Sequence, residues 1–559
     1  MTVNEDQVEK YVMGDVENSP MEKDAGGEDS TADLDTSASA SASKNKGLAR
    51  SMSISEQAQT YTASSAPSFL RWIEYPFRIK NVTTGQYLEE ATGHAMDVSA
   101  RGPINQTGSF LGSVMLRFAA IEAGGRDMPI YGVKASSLLT MSTVIIGIFA
   151  GVSMPIVGAL VDHTDHRKSL GAISAAVTVV AVGLQVMIAQ STWFPCFILE
   201  VVGGYSLIMH QVCALAYLPD LTHNLEAMGH YTAVLMMKQY FIQGIFTSII
   251  IAAGEKFKDN VKSARLAAGL SCAIGFVLMG YAWTFLFRKR PKLRDVPPGS
   301  NLLTTGFKQL AVTSRVVFRD YSALKWFMIA LLFSPEAGSG VVLAIAVTFL
   351  TFFVEMNVQE IAIVSIIMLF SNIPGALMSK KMCKVINPLN SFRMAELFFA
   401  AMNGCIAIFV TGTTQRDKNL VYLFASLIGM SFGWMFPSQK TLTVALIPKG
   451  QEFEIMGLIS FFGQIIGWVP VFIFTALNEA GVSMRWGVSI ISFFLLMSFL
   501  CTLGCGSYED AIKSVEHTSE DYLEEFALRN SGRKGESSGE GNSTTKIAMT
   551  DSGRDAPLE

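Results

Sequence analysis

The sequence has few charged residues for its length, and this shortage excludes most classes of soluble protein. Only 16% of its 559 residues are Asp, Glu, Lys or Arg, whereas 50% are hydrophobic. Such a composition in a chain of this size is typical of a protein that crosses a membrane many times. The formal net charge of -4 gives no basis for binding nucleic acid.

Catalytic and metal-binding signatures are also missing. The seven cysteines have no paired spacing and nearly all lie in apolar runs, which is typical of small packing residues and not of a disulfide or zinc framework. The sequence contains no G-x-x-x-x-G-K-[ST] phosphate-binding loop, so an ATP-driven pump would need a partner protein. The acidic and histidine residues of 162–166 share one short turn without remote ligands, which argues against a metal site. We therefore expect no enzyme activity, no cofactor and no metal.

Long apolar segments make up most of the chain. Arg117 and Glu122 interrupt the first of them, which makes it the weakest candidate for a membrane span. An all-α membrane protein with twelve transmembrane helices is the predicted fold, because each segment can cross about 30 Å of hydrocarbon as a helix. The twelve predicted spans are about 105–125, 136–161, 169–189, 194–218, 229–253, 263–287, 325–353, 357–379, 390–412, 419–445, 453–478 and 484–507.

Polar stretches divide the chain into five predicted parts. Residues 1–100 are predicted to be a disordered N-terminal tail, because the first 65 of them are rich in Ser, Ala, Asp and Glu and offer little apolar surface. Two six-helix halves are expected at 101–287 and 325–507, joined by a polar, proline-containing linker at 288–324. The charged segment 508–559 is predicted to be a disordered C-terminal tail.

Basic residues predict which side of the membrane each loop occupies. They follow spans two, six and eight, at 167–168, 288–294 and 380–384. Positive loops tend to be cytoplasmic, so both termini and the central linker are predicted in the cytosol. The loop at 255–265 carries four basic residues on the opposite side and departs from this rule.

An internal repeat supports two related halves. A Gly-Ala-Leu step followed by basic residues occurs at Gly158 and again at Gly375, 217 positions later. Leu218-Pro219 and Ile447-Pro448 stand at a similar offset, each followed by a glycine. Two sequence patterns that recur at similar offsets indicate a duplicated transporter.

Polar side chains within the predicted spans need a physical reason, because burying them in a bilayer is costly. Glu336 lies in a Ser-Pro-Glu-Ala-Gly segment where Pro and Gly favour a bend, and freed backbone groups there would hold a polar substrate near the midplane. Structural alternatives remain open: a kink carboxylate for Glu336, snorkelling or an ion pair for Lys238, and plain packing for His210. The candidates for a substrate or proton pathway are Glu336, Lys238, Glu200, His210, Arg117 and Gln464.

The turn after the second span resembles a known family motif. The pattern G-x-x-x-D-H-x-D-H-R at 158–167 is similar to the loop-two signature of the major facilitator superfamily, from which it departs at His163 and Asp165. The resemblance implies the major facilitator fold and transport by alternating access. It also implies a gating role, distinct from substrate binding, for Gly158, Asp162, Arg167 and Lys168.

A narrower resemblance points to one branch of that superfamily. The sequence A-L-I-P-K-G-Q-E-F-E-I-M-G at 445–457, W-V-P at 468–470 and A-Y-L-P-D at 216–220 are similar to autophagy-related vacuolar effluxers. This resemblance implies release of amino acids from a vacuole or lysosome-like lumen into the cytosol. The branch often has Asn-Asp-Gly in span seven, where this chain has Pro-Glu-Ala-Gly at 335–338.

Other functions remain compatible with the sequence. A carrier of the same fold for sugars or drug-like solutes has the same composition, and a transport-silent membrane scaffold would use the polar tails to recruit partners. The expected partners are a small-molecule substrate, the lipid bilayer and protons, with proton coupling through Glu336 or Lys238 left open.

Overall fold

The computed structural model describes residues 66–81, 85–217, 221, 225–291, 301–334, 339–448 and 452–515. These residues are almost entirely helical, and their one sheet is a two-stranded hairpin of β1 (Pro129–Ile130) and β2 (Val133–Lys134). The described residues lie within one compact unit, 61–559.

Six helices build the N-terminal half of the bundle. They are α1 (Glu89–Ala123), α2 (Leu138–His163), α3 (Arg167–Leu184), α4 (Trp193–Leu215), α5 (Leu225–Phe257) and α6 (Asn260–Tyr281), the last prolonged by a wider π turn at Ala282–Leu286.

The remaining helices build the linker and the C-terminal half. They are α7 (Leu302–Asp320), α8 (Ser322–Phe333), α9 (Ser339–Phe352), α10 (Val358–Ile386), α11 (Pro388–Phe409), α12 (Gln415–Leu446), α13 (Glu452–Gln464), α14 (Trp468–Glu479) and α15 (Met484–Leu503).

Ten helical segments among the described residues are long and apolar enough to cross a membrane. The polar helix α1 and the successive short apolar helices α8 and α9 occupy the positions of the predicted first and seventh spans. The predicted all-α fold with two six-helix halves is confirmed.

Three boundaries differ from the sequence prediction. The helix of the first span begins at Glu89, within the predicted tail, because nearly all residues of 89–104 are buried inside the protein. The predicted linker contains the amphipathic helix α7. Residues 508–515, expected in the C-terminal tail, are helical.

The two halves meet through matching pairs of helices. We call the end of the bundle where the chain enters α1 and leaves α15 the terminal end, and the opposite end the distal end. Between the halves, α2 packs against α14, α5 against α10, and α1 against α9. Helix α1 also contacts α5 and α6 of its own half, so it lies at the centre of the bundle.

Candidate functional site

Helix α1 carries an unusual number of buried polar residues. A helix that is polar around most of its circumference and still buried must satisfy its polar groups within the protein. Because α1 contacts both halves, its side chains can bond to either half. Its buried polar residues are Glu90, Thr92, His94, Asp97, Ser99, Arg101, Gln106, Thr107, Ser109 and Ser113.

Two arginines near the distal end tie the N-terminal half to the last residue of α9 and to the loop that follows it. Arg117 Nη2 donates a hydrogen bond to the carbonyl of Met356 at 2.6 Å. Arg126 Nη1 donates to the carbonyl of Phe352 at 2.5 Å. The predicted pathway residue Arg117 thus lies in a contact between the halves.

The β-hairpin presents a third cation to the C-terminal half. Tyr131 and Gly132 form its turn with positive φ angles of 52° and 89°, which suits a two-residue hairpin. Strand β2 follows this turn and carries Lys134, whose Nζ donates to the carbonyl of Asn478 at 2.6 Å. Its backbone N–H donates to Glu479 Oε1 at 2.9 Å.

Helices α2 and α14 add neutral hydrogen bonds at the same end. The hydroxyl of Thr475 donates to that of Thr140 at 2.8 Å. The amide of Asn478 donates to the hydroxyls of Ser136 and Ser137 at 2.9 and 2.8 Å. Together with the three cations, these contacts close the distal end.

The glycines along one face of α2 show that the halves separate toward the terminal end. A Cβ on Gly147 would lie 2.5 Å from Trp468 Cβ, whereas one on Gly151 would lie 3.6 Å from the Ile465 carbonyl oxygen. A Cβ on Gly158, further toward the terminal end, would meet nothing within 4 Å. The spacing of these positions keeps them on one face of the helix, so the distance to the opposite half grows along α2.

Polar side chains also meet between the halves deeper in the bundle. Gln106 on α1 donates through Nε2 to the hydroxyl of Ser365 on α10 at 2.8 Å. Its Oε1 accepts from Gln243 Nε2 on α5 at 3.2 Å. Amides and a hydroxyl in this position offer both donors and acceptors to a polar solute.

A buried ionic cluster lies within the N-terminal half. Asp97 is fully buried, and its Oδ2 lies 3.1 Å from Arg101 Nε. Its Oδ1 accepts a hydrogen bond from Trp283 Nε1 at 2.9 Å and lies 2.7 Å from Nε2 of His210, which is also fully buried. Burial of this carboxylate is tolerable because two donors and a cation surround it.

Two further predicted pathway residues, Lys238 and Glu200, lie at different places in the bundle. Lys238 Nζ donates to the carbonyl of Pro76 at 2.8 Å, at the terminal end. Glu200 accepts from Gln185 Nε2 at 2.8 Å and faces Gly108 of α1. Glu336 lies outside the described residues, as does the side chain of Gln464.

The basic residues of the predicted gating motif bind within their own half. Arg167 is buried, donates to the carbonyl of Ala216 at 3.1 Å and lies 5.3 Å from the centre of the Tyr217 ring. Lys168 Nζ donates to the carbonyl of Thr284 at 3.2 Å. These bonds join α3 to the chain after α4 and to α6, while Asp162 lies half-buried on the last turn of α2.

Sequence reasoning missed Asp97, Arg101 and Gln106. Asp97 lies in the predicted tail, Arg101 just before the segment predicted as the first span, and Gln106 at the start of that span. A usable signal was present, because the segment from 89 to 104 contains several apolar and small residues between its charges and only one proline. The predicted candidate His210 points to this cluster, since it pairs with Asp97.

Comparisons with known proteins agree with this architecture. The model of the Major Facilitator Superfamily matches residues 128–471. The fold is similar to that of the D-xylose-proton symporter, with TM-score 0.53 and 13% identity over 75% of this chain and 97% of that one. It is also similar to a mutant of the nucleoside transporter NupG, with TM-score 0.52 and 12% identity over 74% and 100% of the two chains.

A third similar structure is a mutant of the peptide transporter POT in complex with alafosfalin. Its TM-score is 0.51 at 12% identity, over 80% of this chain and 99% of that one. At these identities the likeness concerns the fold alone. No curated protein matches the sequence significantly.

Proposed function

Because this chain belongs to the major facilitator superfamily, we infer that its structure represents one state of an alternating-access cycle, closed at the distal end and open toward the terminal end. The protein is a secondary transporter and not an enzyme. The observation that carries the inferred state is the change along α2, from tight contact at Gly147 to open space at Gly158. Closing the terminal end and opening the distal end would expose the centre of the bundle to the other side.

The proposed substrates are amino acids, moved from a vacuolar or other lysosome-like lumen to the cytosol. The resemblance of 445–457 to vacuolar effluxers supports this class. Gln106, Gln243 and Ser365 support it as well, because they offer donors and acceptors to an ammonium and a carboxylate group. The positive loops support a cytosolic terminal end, which makes the proposed state open to the cytosol.

Exchange in proteoliposomes tests this proposal. Vesicles containing the full-length protein are loaded with an unlabelled amino-acid mixture, and entry of the labelled mixture is followed in time. We expect exchange that depends on the protein and that falls about tenfold in Gln106→Leu, because the variant removes both hydrogen bonds of the side chain. Glu336→Gln tests in the same assay the candidate that lies outside the described residues.

The matched control is Ser248→Ala. Ser248 is exposed on α5 and donates to the Gly244 carbonyl of its own helix at 2.8 Å, so its loss should leave exchange unchanged. Equal rates for Gln106→Leu and wild type would remove Gln106 from the site. Exchange of labelled sugars or drug-like solutes in place of amino acids would reject the proposed substrate class, and absence of all exchange by folded protein would favour a scaffold.

A further inference from the structure

The two ring nitrogens of His210 face different kinds of partner. Nδ1 lies 3.0 Å from the carbonyl oxygen of Gly171 and 3.5 Å from the hydroxyl of Ser174. That hydroxyl donates its own hydrogen to the Leu170 carbonyl at 2.8 Å, so it can only accept from the ring. Because a carbonyl oxygen has no hydrogen to give, Nδ1 must carry one.

The opposite side of the ring also requires a hydrogen. Nε2 lies 2.7 Å from Asp97 Oδ1, a distance at which two bare acceptors would repel each other. Oδ1 already accepts from Trp283, and Oδ2 lies in an ion pair with Arg101. Oδ1 is thus an acceptor in a carboxylate that faces the Arg101 cation, so the shared hydrogen belongs to His210, which makes it an imidazolium.

The charged groups around His210 affect whether its ring keeps this proton. Arg101 and the imidazolium give two positive charges against the single carboxylate of Asp97, so the buried cluster carries one net positive charge. His94, one turn before Asp97, is buried with its ring against Phe287 at a centroid distance of 5.0 Å.

The geometry around the ring retains both hydrogens. The Gly171 carbonyl accepts at Nδ1, and Asp97 accepts at Nε2.

We propose that Asp97 and His210 form the proton-binding site of this transporter, and that the structure shows its proton-loaded state. This inference rests on the proposed transport function and names its coupling ion. Release of the hydrogen on Nε2 leaves Nε2 and Oδ1 as two acceptors facing each other, so the two side chains must then separate. Asp97 would keep Arg101 and Trp283, and His210 would move away with α4.

Such a separation would act on the contact between the halves. Asp97 lies on α1, the same helix that carries Gln106, Ser113 and Arg117 to the C-terminal half. A shift of α1 against α4 would therefore change bonds at Ser365, Thr351 and Met356. The pair is sealed from solvent here, so proton exchange belongs to another state of the cycle.

The fluorescence of Trp283 reports the protonation of His210 in the absence of a substrate. The Trp283 ring lies 5.2 Å from that of His210, and a nearby imidazolium quenches indole emission. We titrate the full-length protein in lipid nanodiscs and subtract the signal of Trp283→Phe. A transition is expected in wild type, absent in His210→Gln, and shifted by about one pH unit or more in Asp97→Asn, whose amide can donate to a neutral ring. His230→Gln, which changes an exposed histidine, should keep the wild-type transition.

Vesicles with an imposed proton gradient supply the second measurement. The ratio of gradient-driven amino-acid flux to exchange flux should fall about tenfold in Asp97→Asn and His210→Gln and stay at the wild-type value in His230→Gln. A titration of wild type that is identical to His210→Gln would overturn the proposed proton site. A wild-type amino-acid flux that is the same with and without the imposed gradient would also overturn it while sparing the transporter. Absent exchange with an intact titration would reject only the amino-acid transport.

Discussion

At the residue scale, the ring of Trp283 occupies the space beside Gly171. A Cβ at Gly171 would lie 2.1 Å from Trp283 Cη2 and 2.2 Å from Cζ3, so only glycine allows this approach of α3 to the end of α6. The same ring donates a hydrogen bond to Asp97. The buried ionic cluster therefore depends on the absence of a side chain at Gly171.

Gly171→Ala should therefore lower stability. The added methyl group displaces the indole and its hydrogen bond, and overpacking of this kind costs about 1–3 kcal/mol. Thermal unfolding of the purified protein in detergent measures the change. Gly280→Ala is the control, since its Cβ would meet nothing within 4 Å, and it should be neutral or stabilising by about 0.5–1 kcal/mol. Equal unfolding temperatures for the two variants would contradict the packing of Trp283 on α3.

At the element scale, α2 combines a tight end and an open end on one face. The tight end is set by Gly147 against Trp468, and the open end contains Gly158 of the predicted gating motif. On the opposite helix α13, a Cβ on Gly457 would also meet nothing within 4 Å. Small residues on both helices suit a surface that closes in another state, because backbones can then approach closely.

Gly158→Leu should block that closure without unfolding the protein. The side chain enters space that is open in this state, but it would clash when α2 and α13 approach. We expect amino-acid exchange to fall about tenfold while the thermal unfolding temperature stays near that of wild type. Gly280→Leu adds the same side chain to a face with no neighbour and should exchange normally. Normal exchange by Gly158→Leu would exclude close approach of these helices during transport.

The linker helix α7 shows a further contact at the element scale. A Cβ on Gly306 would lie 2.0 Å from the Pro155 carbonyl oxygen of α2, and Phe318 packs on Phe462 of α13 with a centroid distance of 5.8 Å. The linker therefore touches both halves near the open end and is not a plain polar connection.

At the scale of the whole molecule, the proposed alternating-access cycle requires the distal contacts to break and form again. Arg117, Arg126 and Lys134 donate to backbone carbonyls across the halves, and Thr140 meets Thr475. Each hydrogen bond of this kind contributes only modestly to the stability of the closed end, so the bonds can form and break reversibly.

A disulfide across the distal end should stop transport. The Oγ1 atoms of Thr140 and Thr475 are 2.8 Å apart, so cysteines at both positions are close enough to bond. The oxidised Thr140→Cys, Thr475→Cys variant should lose exchange and regain it on reduction, as followed by amino-acid exchange in vesicles. The control pair Ser371→Cys, Ser426→Cys has Oγ atoms 3.0 Å apart within the C-terminal half and should exchange in both redox states. Undiminished exchange by the oxidised distal pair would refute opening at this end.

Much of the helical framework was predictable because it depends on local hydropathy. The predicted span 136–161 corresponds to the helical segment 135–163, and 390–412 corresponds to α11 at 388–409. The gating motif was found by its pattern, although the roles of its residues remain a prediction. The start of α1 was missed, because residues such as Asp97 and Arg101 have the polarity of a tail when they are considered alone.

The sequence by itself determined a membrane protein with two six-helix halves, since the free energy of placing a segment in a bilayer is nearly a sum over its own residues. Tertiary structure alone decided which polar groups are paired and which end is closed. Asp97 meets His210 across 113 positions and Trp283 across 186. A buried charge is stable only with its partners, and partners at such separations are brought together by helix packing that no local pattern encodes.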